Sequence, residues 1–288
     1  MKTTDPRFKA LFKEIPAAKN QTVHDADISN SVKTFVKQWP WLYNFIKHAV
    51  GPNHSPGGRY CPRKRINDLF GDASDDKVIL NLGSGTYRIH PEIINVDLFP
   101  FKEVDLVADI CDMPLKDASV DGIVCEDVLE HIAEAPRLLK EMSRILKPDG
   151  TLILNTPFLY PYHSSPDDFF RWTKNGLEHA LKENDFRIKE SGVRGGPMGA
   201  LQGILMHIFA LMFSFGSKAA YFFLVQFFMV LFSPLKLLDS LFMLSPFSSD
   251  VASGIFVIAQ KNRNRPLNAP QEGGWQKENA EHASILLS

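Results

Sequence analysis

The stretch Val78-Ile79-Leu80-Asn81-Leu82-Gly83-Ser84-Gly85-Thr86 runs from apolar residues of buried-strand type into a glycine turn. Lacking Cβ atoms, Gly83 and Gly85 let a ligand approach the backbone closely. A second apolar run, Asn95-Val96-Asp97, ends in a carboxylate, the expected acceptor for a pair of ribose hydroxyls. A third, Val107-Ala108-Asp109-Ile110, also ends in an acid, and a fourth runs through Asp121-Gly122-Ile123-Val124-Cys125 to Glu126, Asp127, Glu130 and His131. A fifth region, residues 157–173, gathers His163, Asp167, Asp168 and Arg171 after another apolar run. Taken singly, each acid has the plainer reading of a strand-end cap, and the fifth region that of a lid whose polar residues cap turns.

The elements needed to position these residues follow from periodicity. Apolar runs at 78–82, 93–97, 105–109, 121–125, 151–155, 186–193 and 254–259 predict strands, and the spacing of Leu138, Leu139, Met142, Ile145 and Leu146 predicts a helix over 135–146. Lys147-Pro148-Asp149-Gly150 terminates that helix, and a second is expected over 173–184 with Thr173 as its N-cap. Strands alternating with helices imply an α/β fold: a Rossmann-like seven-stranded sheet, last strand antiparallel, with helices on both faces. Residues 1–27 are expected to be flexible, 28–76 to form a helical extension kinked at Pro40, and 262–288 to be a flexible tail. The main domain comprises 77–195 plus 250–261, interrupted by a hydrophobic insert over 196–249.

Composition excludes several classes. Thirty-two Lys and Arg against 33 Asp and Glu give a formal net charge of −1, so no basic nucleic-acid footprint is present. Cys61, Cys111 and Cys125 have no CxxC spacing, which disfavours disulfide scaffolds and zinc modules. No cleaved signal peptide is visible at the start, and the expected compartment is the cytoplasm.

In this order the four motifs resemble those of class I S-adenosylmethionine-dependent methyltransferases, particularly the bacterial methyltransferase type 11-like group with Leu129-Glu130-His131 at the fourth motif. The resemblance covers 77–193 plus 251–260. It implies S-adenosyl-L-methionine as cofactor, with Gly83, Ser84 and Gly85 flanking its methionine part. It further implies Asp97 at the ribose, Asp109 with Ile110 at the adenine and Glu126 beside the methionine part and the transferred methyl, with Leu98 and Asp127 also among the cofactor-binding residues. One departure stands out: eleven residues separate Gly85 from Asp97, too few for the family's usual helix. That spacing argues against a nicotinamide enzyme, whose glycine turn must open a helix that receives a pyrophosphate.

Methyl transfer from a sulfonium needs alignment and a deprotonated acceptor. His163 is the candidate general base for a hydroxyl, with Asp167 or Asp168 orienting it and Arg171 fixing an anionic substrate group. Asp127, Glu130 and His131 loosely resemble the acidic-acidic-His metal site of quinone-type O-methyltransferases; the expectation here is no metal. The cluster Arg59, Arg63, Lys64 and Arg65 reads as a solvated face, with phosphate contact as the alternative.

The insert carries no Asp, Glu, Lys or Arg between Arg194 and Lys218 or between Lys218 and Lys236, and ten of the 22 phenylalanines lie within it. A surface helix should show a polar face, and none is apparent. The insert leaves the sixth strand at the ligand-binding edge, so it is expected beside the active site. Membrane contact follows, peripheral or re-entrant at the inner face. The expected activity is O-methylation of an amphiphilic or lipid-linked saccharide, quinone or lipid. The alternative is a catalytically silent module tethering a partner at the membrane.

Overall fold

The computed structural model describes residues 11–12, 64–67, 77–163 and 167–263. The rest of the expected N-terminal extension, the kink at Pro40, Arg59, Arg63 and the tail beyond 263 lie outside these residues. Seven strands form one sheet: β1 (Ile79–Leu82), β2 (Ile94–Asp97), β3 (Leu106–Val107), β4 (Val120–Glu126), β5 (Leu146–Pro157), β6 (Phe186–Gly195) and β7 (Gly254–Lys261). Their order is β3-β2-β1-β4-β5-β7-β6. The β1–β5 neighbours pair in parallel, while β7 runs antiparallel to both β5 and β6.

Successive side chains of a strand point to opposite faces, and the central strands carry apolar residues on both. Leu80, Leu82, Ile123, Cys125, Leu152, Leu154 and Val257 join the larger core with Leu138, Leu139, Met142 and Ile145 of α1 (Ala135–Ile145) and Leu177 and Leu181 of α2 (Lys174–Glu183). On the other face Ile79, Val124, Ile153, Phe256 and Ile258 pack with Ile66, Ile89 and Ile93. Thr173 caps α2 as expected, its Oγ1 accepting from the Gly176 N–H at 3.0 Å.

Three local differences from expectation have physical causes. The turn-forming residues after α1 do not end in a loop: β5 begins at Leu146, and 147–150 forms a bulge where the β4 register shifts, with Asp149 at φ 60°. No helix forms between β1 and β2. Instead Arg88 braces the turn, donating to Glu103 Oε2 (3.1 Å), Glu103 O (2.7 Å), Ile93 O (3.0 Å) and Asp105 Oδ2 (2.9 Å). Within the span expected to be flexible, Leu11 and Phe12 are buried, and Phe12 bridges Leu115. Arg65 of the basic cluster pairs with Glu190 at 2.5 Å.

The insert is a helical hairpin, α3 (Pro197–Ser214) and α4 (Lys218–Phe232), followed by short helical turns through Val251. Met206, Ala210, Val225 and Phe228 form its own small core, with Phe209 and Phe228 rings 5.3 Å apart. Gln202 and His207, polar residues in an otherwise apolar helix, both act inside the hairpin. Gln202 Nε2 donates to Met229 O at 2.8 Å, and His207 Nδ1 lies 2.6 Å from the Tyr221 hydroxyl. Buried Asp239 reaches back to the start of α3, accepting from the N–H groups of Met198 (2.8 Å) and Gly199 (3.2 Å).

Candidate active site

At the carboxyl edge of the sheet the β1 turn takes two left-handed residues, Gly83 at φ 67° and Gly85 at φ 55°. A Cβ on Gly83 would stand 2.4 Å from Val128 Cγ2, whereas one on Gly85 would meet nothing within 4 Å. The first glycine is thus demanded by packing and the second borders open space. Asp97, at the end of β2, is mostly buried and turned towards this turn. Its Oδ2 accepts from the Gly85 N–H at 2.8 Å and its Oδ1 from the Phe99 N–H at 2.9 Å. Ser84 Oγ is buried without a hydrogen-bond partner. A glycine cradle, an adjacent carboxylate and an orphaned hydroxyl suit the methionine and ribose parts of an adenosyl sulfonium.

The remaining cofactor candidates differ in their surroundings. Ala108 donates its N–H to Asp97 O at 3.0 Å, which ties β3's end to β2's. Asp109 itself is exposed, its Oδ1 accepting from the Cys111 N–H at 2.8 Å, an ordinary strand-end cap. Ile110 is buried and Leu98 is exposed. Burial, with Asp109 nearby, pushes the Cys111 thiol up to about 11. Glu126 accepts from Asn155 Nδ2 at 2.8 Å. Asp127, at φ 53°, pairs with the buried Arg194. Arg194 Nη1 also donates to Asn155 Oδ1 at 2.7 Å, so β4, β5 and β6 meet in one polar knot.

The post-β5 segment folds over the same edge as a lid. Arg171 is its clamp rather than an open anion site. Its Nη1 and Nη2 each donate to Asp168 at 2.5 Å, Nε donates to Tyr160 O (2.9 Å), and Nη2 to Pro161 O (3.0 Å). Burial works to raise the Asp168 carboxyl, but bonds from Arg171 and the His163 N–H leave it below its ordinary value. Asp168 orients His163, accepting from its backbone N–H at 2.9 Å, with Oδ2 3.3 Å from Nδ1. Asp167 is exposed and offers only its backbone carbonyl, 2.5 Å from His131 Nδ1. Phe169 and Phe170 N–H groups donate to Glu130 O, fastening the lid to the turn after β4. Burial pushes the Tyr160 phenol up to about 12.

His163 and His131 both face Glu130, whose carboxylate is fully buried; each Nε2 lies 3.6 Å from Glu130 Oε1. Asn155 and Arg194 belong to none of the sequence motifs above. The signal was available: a polar residue closing a buried strand, and the last charge before an uncharged run.

Residues 88–154 match the family model described as a methyltransferase domain. Among curated relatives, a probable S-adenosylmethionine-dependent methyltransferase, Rv3030 of Mycobacterium tuberculosis, is 39% identical over 59 residues, 20% of this chain and 21% of that one. An uncharacterized 37.1 kDa protein in transposon TN4556 of Streptomyces fradiae is 40% identical over 96 residues, 33% of this chain and 28% of that one. The chain thus spans between a fifth and a third of these relatives' length. Among solved structures, phosphoethanolamine N-methyltransferase 2 of Haemonchus contortus, in complex with S-adenosyl-L-methionine, is similar at TM-score 0.47 and 16% identity, covering 83% of this chain and 61% of that one. The [4+2]-cyclase SpnF is similar at TM-score 0.48 and 16% identity, over 83% and 98%. The sequence match over 88–154 thus marks a methyltransferase domain within the chain, set in a Rossmann-like seven-stranded sheet whose last strand is antiparallel.

Proposed function

We propose that the protein transfers a methyl group from S-adenosylmethionine to a hydroxyl of an amphiphilic or lipid-linked acceptor (a saccharide, quinone or lipid) at a membrane surface. The cofactor supplies an electrophilic methyl on a sulfonium. Around it, Gly83, Ser84 and Gly85 receive the methionine part, Asp97 and Leu98 the ribose, Asp109 and Ile110 the adenine, and Glu126 lies beside the methyl. Asp127 contributes by holding Arg194 against the same pocket. On the acceptor side His163, oriented by Asp168, stands beside the attacking oxygen. Arg171 keeps the lid closed and excludes water.

The observation that carries the membrane reading is the outer surface of the hairpin. Phe215 and Phe223 of the hairpin are 91% and 71% exposed and Phe247 of the turns after it 72%, and Ile208, Leu211, Phe227, Leu241 and Leu244 are exposed too. So many large apolar side chains exposed on one insert are costly in water and suit an interaction site. By length and composition alone, Pro197–Ser214 and the helical run Lys218–Phe242 are long and apolar enough to cross a membrane. The tight turn favours a hairpin that dips in and returns. Its position relative to the lid supports an amphiphilic acceptor: at Gly203 of α3 a Cβ would lie 3.3 Å from Pro161 Cδ. We place the protein in the cytoplasm, at the membrane's inner face.

Two experiments test this. Calorimetric titration with S-adenosylmethionine should show stoichiometric binding; absence of binding by the folded protein would leave only a silent tethering module. Deleting 200–245 should move the protein from the membrane fraction to the soluble one while sparing cofactor affinity, and unchanged partitioning would refute the anchor.

A further inference from the structure

Glu130, His131 and His163 offer one ligand atom each, and these atoms lie within 4.8 Å of one another. The proton positions are set by their other partners. His131 Nδ1 lies 2.5 Å from the Asp167 carbonyl, which can only accept, so the ring proton sits on Nδ1 and Nε2 presents a lone pair. At His163, Nδ1 has Asp168 Oδ2 at 3.3 Å and Arg171 Nη2 at 3.4 Å. Both hydrogens of Arg171 Nη2 are already committed to Pro161 O and Asp168, so His163 Nδ1 keeps its proton facing the Asp168 carboxylate and Nε2 is again a lone pair. Between the two imidazoles stands Glu130 Oε1, fully buried and without a hydrogen-bond partner, while Oε2 has Thr156 Oγ1 at 3.4 Å. Three acceptors therefore converge with no donor among them. A buried polar atom in that state is expensive unless a cation completes it.

We propose that Glu130 Oε1, His131 Nε2 and His163 Nε2 bind a first-row divalent cation of the zinc class. Ligands about 2.0–2.2 Å from a tetrahedral ion lie roughly 3.3–3.6 Å apart, and the two Glu130-to-histidine separations are 3.6 Å. Two imidazoles with one carboxylate favour such ions over magnesium or calcium. The orientation of each ring by a carbonyl or carboxylate on its far nitrogen is the arrangement that metal-binding histidines use. This set differs from the one suggested by the fourth motif: Asp127 is held by Arg194, and His163 arrives from the lid. It also departs from the expectation that no metal is bound.

Three protein ligands leave a position open, and the rings are partly exposed, at 12% for His131 and 32% for His163. This inference rests on the methyltransferase reading and specifies how the acceptor is activated there. An acceptor hydroxyl occupying the open position has its acidity raised and loses its proton to water. Its oxygen then bonds to the methyl carbon as the carbon–sulfur bond breaks, the electron pair remaining on sulfur. In this arrangement His163 acts as a ligand instead of a free base.

The probe is Co²⁺, titrated into the full chain without S-adenosylmethionine and followed by its visible absorption and by calorimetry. The expected result is one equivalent giving the intense spectrum of four or five ligands. Glu130→Gln and His163→Asn should each weaken binding more than tenfold, and Asp168→Asn by roughly 10–100-fold. Circular dichroism and S-adenosylmethionine affinity, measured on the same samples, verify folding. Because His163 is partly exposed, His163→Asn serves if the buried Glu130→Gln variant does not fold. No Co²⁺ binding, or binding indifferent to these substitutions, overturns the proposal and leaves a shared proton between Glu130 and a histidine. Co²⁺ binding without cofactor binding would instead refute the methyltransferase reading alone.

Discussion

Replacing Gly83 by alanine should expose the two constraints on the β1 turn separately. The left-handed φ of 67° costs an alanine about 1–2 kcal/mol. The new Cβ, placed 2.4 and 2.9 Å from the two Val128 methyls, overpacks the site and adds roughly 1–3 kcal/mol. Val128→Ala removes both methyls from a position only 8% exposed and should cost about 2 kcal/mol by itself. In the double variant the collision is relieved and the backbone cost stays. The two changes should therefore be non-additive, with the double variant about 1–3 kcal/mol more stable than the sum predicts. Urea unfolding of the four proteins, followed by tryptophan fluorescence, measures this cycle. Additivity within about 0.5 kcal/mol would refute the claim that Val128 dictates glycine at this position.

Other outcomes follow from neighbouring features. Gly85→Ala meets no neighbour in the fold, so its stability cost should be only the backbone's ~1–2 kcal/mol, while S-adenosylmethionine affinity falls at least tenfold; unchanged affinity by calorimetry would remove residue 85 from the pocket. Arg88→Met should lower unfolding free energy by about 2–4 kcal/mol, because Asp105 and two carbonyls lose a donor, and a loss under about 0.5 kcal/mol would show that the brace is dispensable. His163→Ala should lower turnover by roughly 10²–10⁴ with cofactor affinity retained; near-normal turnover eliminates the residue from the acceptor side. Burial holds the thiols of Cys111 and Cys125 in their protonated, unreactive form. Iodoacetamide at pH 8 should therefore leave both unmodified in the folded chain, as read by peptide mass spectrometry; rapid alkylation of Cys111 would contradict its placement.

Much of the scaffold was legible because its strands are buried on both faces and read as short apolar runs between turn residues. The order of acids along those runs then placed Asp97 beside the glycine turn, where it is found. What escaped was determined by tertiary partners. Nothing local to Asp127 announces Arg194, 67 positions away, and nothing near Arg171 says that its donors will be spent on Asp168, Tyr160 and Pro161. The convergence of His163 on Glu130 arises because β4 and β5 are neighbours, a fact of sheet order rather than of spacing. The missing helix after β1 was evident from length alone, but its replacement by a guanidinium required knowing where Glu103 and Asp105 would lie.

The long excursion between the last two strands departs from Gly195 and comes back at Gly254, and those two residues face each other across the ladder, with Ser253 N–H bonded to Gly195 O at 2.9 Å. A segment whose two feet share one rung can grow, shrink or be exchanged without shifting any strand by a residue. The sheet with its glycine turn and the apolar insert are therefore separable by inheritance. Relatives with the same sheet are free to carry quite different appendages at this doorway.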